Sequence, residues 1–255
     1  MIILNHIINP FKCKEDNKSY LYYAQPITFK SMNISKNKAN NIKNLKVNLY
    51  SINYSEDDSI IPDYFNKLPN LKESTKDYFE TNKKLPFIQE IFNSIIKNIE
   101  GDYIIFTNSD IALKPNFYKK IYKIIKNEKR TSFTINRRDN IPKFIIKNNK
   151  KIRLNENNLK ILNKFNGKKH PGNDCFVIHR SLLKYIFMGS LFIGYPPWGI
   201  ILVDILKKID RSFKIYKDLH ITYHIGKDMQ WKKNKNILNK INKLNGKYIR
   251  NIYNI

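Results

Sequence analysis

Glycine is scarce in this chain of 255 residues, with eight in all, and cysteine is scarcer, with two. No glycine lies between Asn5 and Cys13, so a glycine-rich phosphate loop after the first apolar run is excluded, which argues against a nucleotidyltransferase. Cys13 and Cys175 are not spaced as a metal knuckle, and two thiols suit a reducing compartment. Acidic residues are outnumbered 21 to 47, leaving a net charge of +26 and a pI near 9.8. Arginine, however, is rare, and lysine is spread nearly everywhere. Lys, Asn and Ile are inflated together, as AT-rich codons would produce. The charge therefore does not mark a dedicated nucleic-acid surface. It still steers anionic partners such as nucleotide sugars, phospholipid surfaces and acidic glycans. No basic segment precedes Ile2-Ile3-Leu4, so no secretory signal and a cytoplasmic location are expected. The most apolar stretch, Tyr185 to Leu206, contains Pro196-Pro197 and Asp204 and reads as a buried strand-loop-helix, not a membrane span. With 42% hydrophobic residues, the composition is that of a globular protein, and the length suits one large α/β domain.

No internal repeat is visible. The apolar run Ile2 to Ile8 predicts a first strand, ending at Asn9-Pro10. Pro26 to Asn40 is weakly helical, and Leu45 to Ile52 alternates as a half-buried strand that runs into an acidic loop, Glu56-Asp57-Asp58. Pro86 opens an amphipathic helix to about Asn98. Tyr103 to Thr107 is continuously apolar, as a strand buried on both faces requires. Another helix begins after Lys114-Pro115-Asn116, then a strand from Thr131 ending in Arg137-Arg138. A Lys/Asn-rich loop from Asn148 to Lys169 carries a short helix at Asn158 to Phe165. Cys175 to Ile178 is a strand, Ser181 to Phe187 and Trp198 to Ile209 are helices, and Ile215 and His220 to His224 lie on a last short strand or loop. Strands alternating with helices predict an α/β fold: one mostly parallel sheet sandwiched by helices, with ligands at the carboxyl ends of strands. Asn9, Asp57 and Asp110 are expected to meet there. A domain over 1–231 is followed by a basic tail, 232–255, in which Ile237, Leu238, Ile241, Leu244, Tyr248 and Ile252 keep a helical period.

The chemistry concentrates on Asn108-Ser109-Asp110, just past the buried strand. An acid in such a turn holds Mg²⁺ or Mn²⁺ against a diphosphate, because these cations take hard oxygen ligands. The alternative is that Asp110 simply caps the next element of the chain. Arg137 stands at the same edge, where it grips a phosphate or remains a solvated surface charge.

The run Tyr103 to Tyr118, with Asn108-Ser109-Asp110 at its centre, resembles the metal-binding DXD region of GT-A fold glycosyltransferases. Asn108 replaces the first acid of that motif. Asp174 to Leu183 resembles the strand and helix after the donor site. Trp198-Gly199 resembles the stretch that holds the catalytic base of inverting members, although Ile200-Ile201 stand where an acid is expected. Thr222-Tyr223-His224-Ile225-Gly226 resembles the C-terminal histidine that completes the metal shell. The likeness runs from about Leu45 to Trp231.

The resemblance implies a Rossmann-like GT-A transferase that moves a sugar from a nucleoside-diphosphate donor to a hydroxyl of a glycan or other acceptor, with Mn²⁺ or Mg²⁺. Asp110, Asn108 and His224 are the expected metal ligands. Asn9, Asp57, Asp58, Asn108, Ser109 and Arg137 are expected at the donor. Asp174, or Asp204 within its apolar helix, is expected to serve the acceptor. Peripheral membrane contact through the lysine-rich tail is a further expectation. The rival readings are a non-catalytic basic module for acidic glycan, RNA or membrane, and a degenerate, inactive transferase.

Overall fold

A computed structural model describes residues 1–14, 20–147, 150–226 and 237–255. The expected first strand is β1, Ile2–Ile8, followed by helix α1, Leu21–Ala39, and β2, Leu45–Ser51. The acidic loop is wound into a 3₁₀ turn, Ser55–Ile60, before the short β3, Asn66–Lys67, and α2, Thr75–Tyr78. Helix α3, Ile88–Asn98, starts two residues after Pro86, which is held in a bridge to Ser74. Strand β4, Tyr103–Thr107, is as expected, and the Asn-Ser-Asp turn leads into an unforeseen strand β5, Ile111–Leu113, before α4, Phe117–Glu128.

Strand β6, Ser132–Asp139, runs through both arginines. The expected long loop is partly a hairpin, β7 (Phe144–Lys147) with β8 (Lys150–Arg153), followed by a 3₁₀ turn, Leu159–Lys164. Strand β9, Lys168–His179, is much longer than its apolar half. The residues after it form 3₁₀ turn Arg180–Tyr185 where a helix was predicted. Helix α5, Trp198–Ile209, is as predicted, and β10 (Lys214–Tyr216), β11 (Thr222–His224) and α6 (Ile237–Tyr253) complete the chain. The expected boundary at Trp231 lies outside the described residues.

The sheet order is β3-β2-β1-β4-β9-β6-β11-β5, with β10 beside β6. β1 is parallel to β2 and β4, and β6 is parallel to β10 and β11. β9 runs antiparallel to β4 and β6, and β5 antiparallel to β11. The sheet is therefore mixed but mostly parallel, and β1, β2, β4 and β6 all end at one edge.

Both faces are covered, which explains why β4 carries no polar alternation. Ile104 and Phe106 face a core with Ile91, Phe92 and Ile95 of α3 and Ile201, Leu202 and Ile205 of α5. Tyr103 and Ile105 face the other core, with Phe29 and Met32 of α1 and Ile121 and Ile125 of α4. Helix α6 is fastened to the first side. Asn242 is fully buried and its amide bonds the backbone of Phe192 and Tyr195, while Gly246 lies against Pro197. The apolar stretch from Tyr185 to Leu206 is thus loop and core helix. Among the described residues, no helix is long and apolar enough to cross a membrane.

Candidate active site at the carboxyl edge of the sheet

The edge is braced from below. His6 of β1 is fully buried, with Nδ1 at 2.8 Å from the Tyr118 hydroxyl and Nε2 at 2.9 Å from Thr107 Oγ1. Burial pushes its pKa down to about 3, so the ring is neutral and ties α4 to the ends of β1 and β4. The turn after β4 then starts from a fixed point: Ile111 N–H donates to the Asn108 carbonyl, and Ile225 N–H to the Asp110 carbonyl.

Six side chains form a connected chain above this base. Asn108 Nδ2 donates to Asp174 Oδ1 at 3.0 Å, and Arg137 Nη1 donates to Asp174 Oδ2 at 2.6 Å. Arg137 Nε donates to Asp139 Oδ1 at 2.8 Å. That same oxygen is 3.5 Å from His224 Nδ1, and His224 Nε2 is 3.1 Å from Asp110 Oδ2. The charged members are only 12–22% exposed. Gly172 is needed here because a Cβ would come within 2.9 Å of Asp174 Oδ2 and 2.8 Å of His170 Nδ1.

Electrostatics follows from the alternation of charge. Burial works against a charge on His224, yet Asp110 and Asp139 on either side overrule it and push its pKa up to about 10. Burial likewise opposes the Asp139 carboxylate, but His224 and Arg137 hold its pKa down at about 2. Arg137 is desolvated too, and its two carboxylate partners more than offset this.

Two buried oxygens in this cluster lack a partner: Asn108 Oδ1 and Asp110 Oδ1. The orientation of Asn108 is dictated by chemistry. A carboxylate only accepts, so the amide nitrogen faces Asp174 and the amide oxygen is left over. A buried acceptor without a donor is costly, and a cation satisfies it. With His224, whose proton a bound cation would have to displace, these oxygens form a mixed O/N donor set that could hold Mn²⁺ or Mg²⁺. Among the described residues no three His, Cys, Asp or Glu side chains are grouped to hold a metal. A cation held here would thus need further ligands, such as phosphate oxygens and water, as Mg²⁺ usually takes.

The other expected residues are distributed along the same edge and beyond it. Ser109 is buried in the same turn. Asn9 and Asp57 lie at the same edge, past β1 and β2, but structure loops there: Asn9 Nδ2 donates to the Ile52 carbonyl, and Asp57 Oδ1 accepts from Lys12 N–H. Burial raises the Asp57 pKa. Asp58 accepts from Asn53 Nδ2 at 2.8 Å. Asp174 lies inside β9, which starts at Lys168 and not at Cys175 as expected. Asp204 is not brought to the cluster; it pairs with Arg250 of α6 at 2.7 Å. Asp139 is the residue that sequence reasoning missed. The expected strand stopped at the two arginines, and only its extension to Asp139 places residues 137 and 139 on one face.

No family model matches the sequence, and no curated protein is significantly similar to it. Solved structures with the same fold exist. TarS residues 1–349 from S. aureus, in complex with UDP-GlcNAc, superposes with a TM-score of 0.53 at 11% identity, covering 92% of this chain and 62% of that one. Glucosyl-3-phosphoglycerate synthase from Mycobacterium tuberculosis, with Mn²⁺, UDP and glucosyl-3-phosphoglycerate, gives 0.52 at 11% identity over 97% of this chain and 80% of that one. The same enzyme with Mg²⁺ and UDP gives 0.51 at 9% identity. This chain thus spans less than two thirds of the TarS fragment. The likeness establishes the GT-A fold.

Proposed function

We propose that the chain is a glycosyltransferase that moves a sugar from a nucleoside-diphosphate donor to a hydroxyl acceptor with the help of Mn²⁺ or Mg²⁺. One observation carries the reading: the unpartnered buried oxygens of Asn108 and Asp110, beside His224, at the carboxyl end of the central strand. In an α/β sheet that position is where ligands bind. The fold is shared with enzymes solved with UDP and a divalent cation, or with UDP-GlcNAc. When bound, the cation neutralises the charge that collects on the departing diphosphate.

The chain's own residues do the rest. Asp110, Asn108 and His224 hold the cation. Arg137 offers a guanidinium to the diphosphate, in competition with Asp139 and Asp174. Ser109, Asn9, Asp57 and Asp58 shape the donor's side of the edge. Asp174 has both oxygens engaged, by Asn108 and Arg137, so neither turns to an acceptor hydroxyl without giving up one of these bonds. Its role is to position the acceptor more than to deprotonate it. Asp204 is assigned to the α5–α6 contact. The transferase unit spans 1–231, with 232–255 as an appended basic segment. Helix α6 is docked on the core, and its exposed Lys240, Lys243 and Lys247 are the side chains that would meet an anionic membrane surface.

The test is a thermal-shift screen of nucleoside diphosphates and nucleotide sugars, with and without Mn²⁺. A ligand at a hundredfold its Kd should stabilise the fold by ~2.7 kcal/mol. The expected result is a shift that needs the cation and disappears in Asp110→Asn. A well-folded sample that no nucleotide shifts would overturn the reading in favour of a binding module.

A further inference from the structure

A second concave feature lies away from the cluster. It is a groove of about 730 Å³ between α3, α6 and the α2 segment. The volume is in the range of small-molecule sites. In a chain of net charge +26 its lining is unusual, with one lysine, Lys72, against two acids, Glu73 and Glu90. Most of the remaining lining is aromatic or amide.

The aromatic element is Tyr78, 59% exposed. It is set edge-on against Phe87 with ring centroids 5.5 Å apart. The neighbouring Glu73 carboxylate raises the pKa of its phenol and marks the polar end of the ring. An exposed aromatic face fixed in this way offers an apolar platform with a polar tip.

The amides are also pre-set. Gln89 Oε1 accepts from Met188 N–H at 2.7 Å, and its Nε2 donates to Asn93 Oδ1 at 2.9 Å. Asn245 Nδ2 donates to the Ser190 carbonyl at 2.9 Å. These bonds orient Asn93 to present its Nδ2 donors and Asn245 its Oδ1 acceptor. Glu90 is likewise spent on the backbone, accepting from Lys72 N–H at 2.7 Å. The groove thus combines a flat apolar ring with neutral groups that both donate and accept. A sugar has a C–H face and a rim of hydroxyls that both donate and accept, and it matches this lining. A phosphate or an acidic glycan does not.

We propose that this groove binds a short stretch of neutral oligosaccharide, stacked on Tyr78 and hydrogen-bonded by Asn93, Asn245 and Ser190. Its purpose rests on the transferase reading: the occupant is the acceptor glycan, held at a distance from its reacting hydroxyl. Tyr54, three residues past the end of β2 at Ser51, donates its hydroxyl to the Glu73 carbonyl, so groove and sheet edge share one wall.

The experiment uses the full chain and a panel of neutral pentasaccharides built from glucose or N-acetylglucosamine with different linkages, plus an anionic galacturonate pentamer. Binding is read by saturation-transfer NMR and titration calorimetry at ~0.15 M salt, where exposed charges further apart than about 8 Å are screened. At least one neutral oligosaccharide is expected to bind. Tyr78→Ala and Asn93→Ala should each weaken it about tenfold or more, which is ~1.4 kcal/mol. Both positions are exposed, so the melting temperature should hold. Cation-dependent nucleotide binding should be unchanged in both variants. No neutral binding, or binding that neither variant weakens, overturns the groove and leaves the transferase reading intact. Preference for the anionic pentamer, lost at high salt, also overturns it. Loss of nucleotide binding in the unmodified chain strikes the transferase reading alone.

Discussion

Asp139 and Asp110 face the His224 imidazole from opposite sides, and only one of them is a candidate ligand. Asp139 sits at Nδ1, 3.5 Å away, and is itself held by Arg137. A carboxylate in that place sets which ring nitrogen carries the proton and where the other one points. Asp139→Asn should therefore leave the fold in place and weaken Mn²⁺ binding by roughly 10–100-fold, the usual cost of removing such a support. Manganese titration followed by electron paramagnetic resonance reads it, and an unchanged Kd would show that His224 needs no support from β6. The residues of the turn after β4 were legible in the sequence because a strand with no polar alternation ends on them. Asp139 was hidden by the basic pair before it. Asp204 was ambiguous because its partner, Arg250, is supplied by a helix 46 residues away in sequence. An acid in an apolar helix looks the same in sequence whether it serves chemistry or an ion pair.

At the level of elements, periodicity found the pieces long enough to show it. β1, β2, β4, α3, α4 and α5 each bury a face or both, and their patterns said so. β5 has three residues, too few for any period, and its pairing partner β11 is over a hundred residues away. The first half of β9 contains Pro171-Gly172, a turn signal. The sheet absorbs it in an irregularity: from Asn136–Asn173 to Arg138–Lys169, β6 advances two residues while β9 advances four. Helix packing gives a sharper test. Gly246 lets α6 lie against the Pro197 ring, and a Cβ there would sit 2.8 Å from Pro197 Cγ. Glycine in a helix costs about 1 kcal/mol relative to alanine, so its presence argues for the contact. Gly246→Val should lower stability by about 1–3 kcal/mol through overpacking, read as a lower urea midpoint at constant slope. A midpoint that stays or rises would mean α6 is loosely docked.

For the molecule as a whole, the dominant global quantity is its charge. Forty-seven basic residues against 21 acidic ones repel one another more in the compact state than in the open chain. Raising salt from low ionic strength to ~0.15 M shortens the screening length to about 8 Å and should stabilise the fold. A gain of ~1 kcal/mol would appear as a rise of about 2–4 °C in Tm. A Tm that falls with salt would mean that attractive pairs such as Arg137–Asp174 outweigh the repulsion. The strand-helix order was enough to foresee an α/β fold, but not the antiparallel crossing of β9, which depends on contacts between distant segments.

That crossing has a consequence for quality control. Asn108, Arg137 with Asp139, Asp174, and His224 come from four separate stretches of strand or turn, and they meet only after β4, β6, β9 and β11 have aligned. No fragment or half-zipped intermediate holds the set. If the cluster takes a divalent ion as proposed, affinity for that ion would be a late, all-or-none certificate of assembly: a nicked or misregistered chain would keep its helices and still fail to bind it.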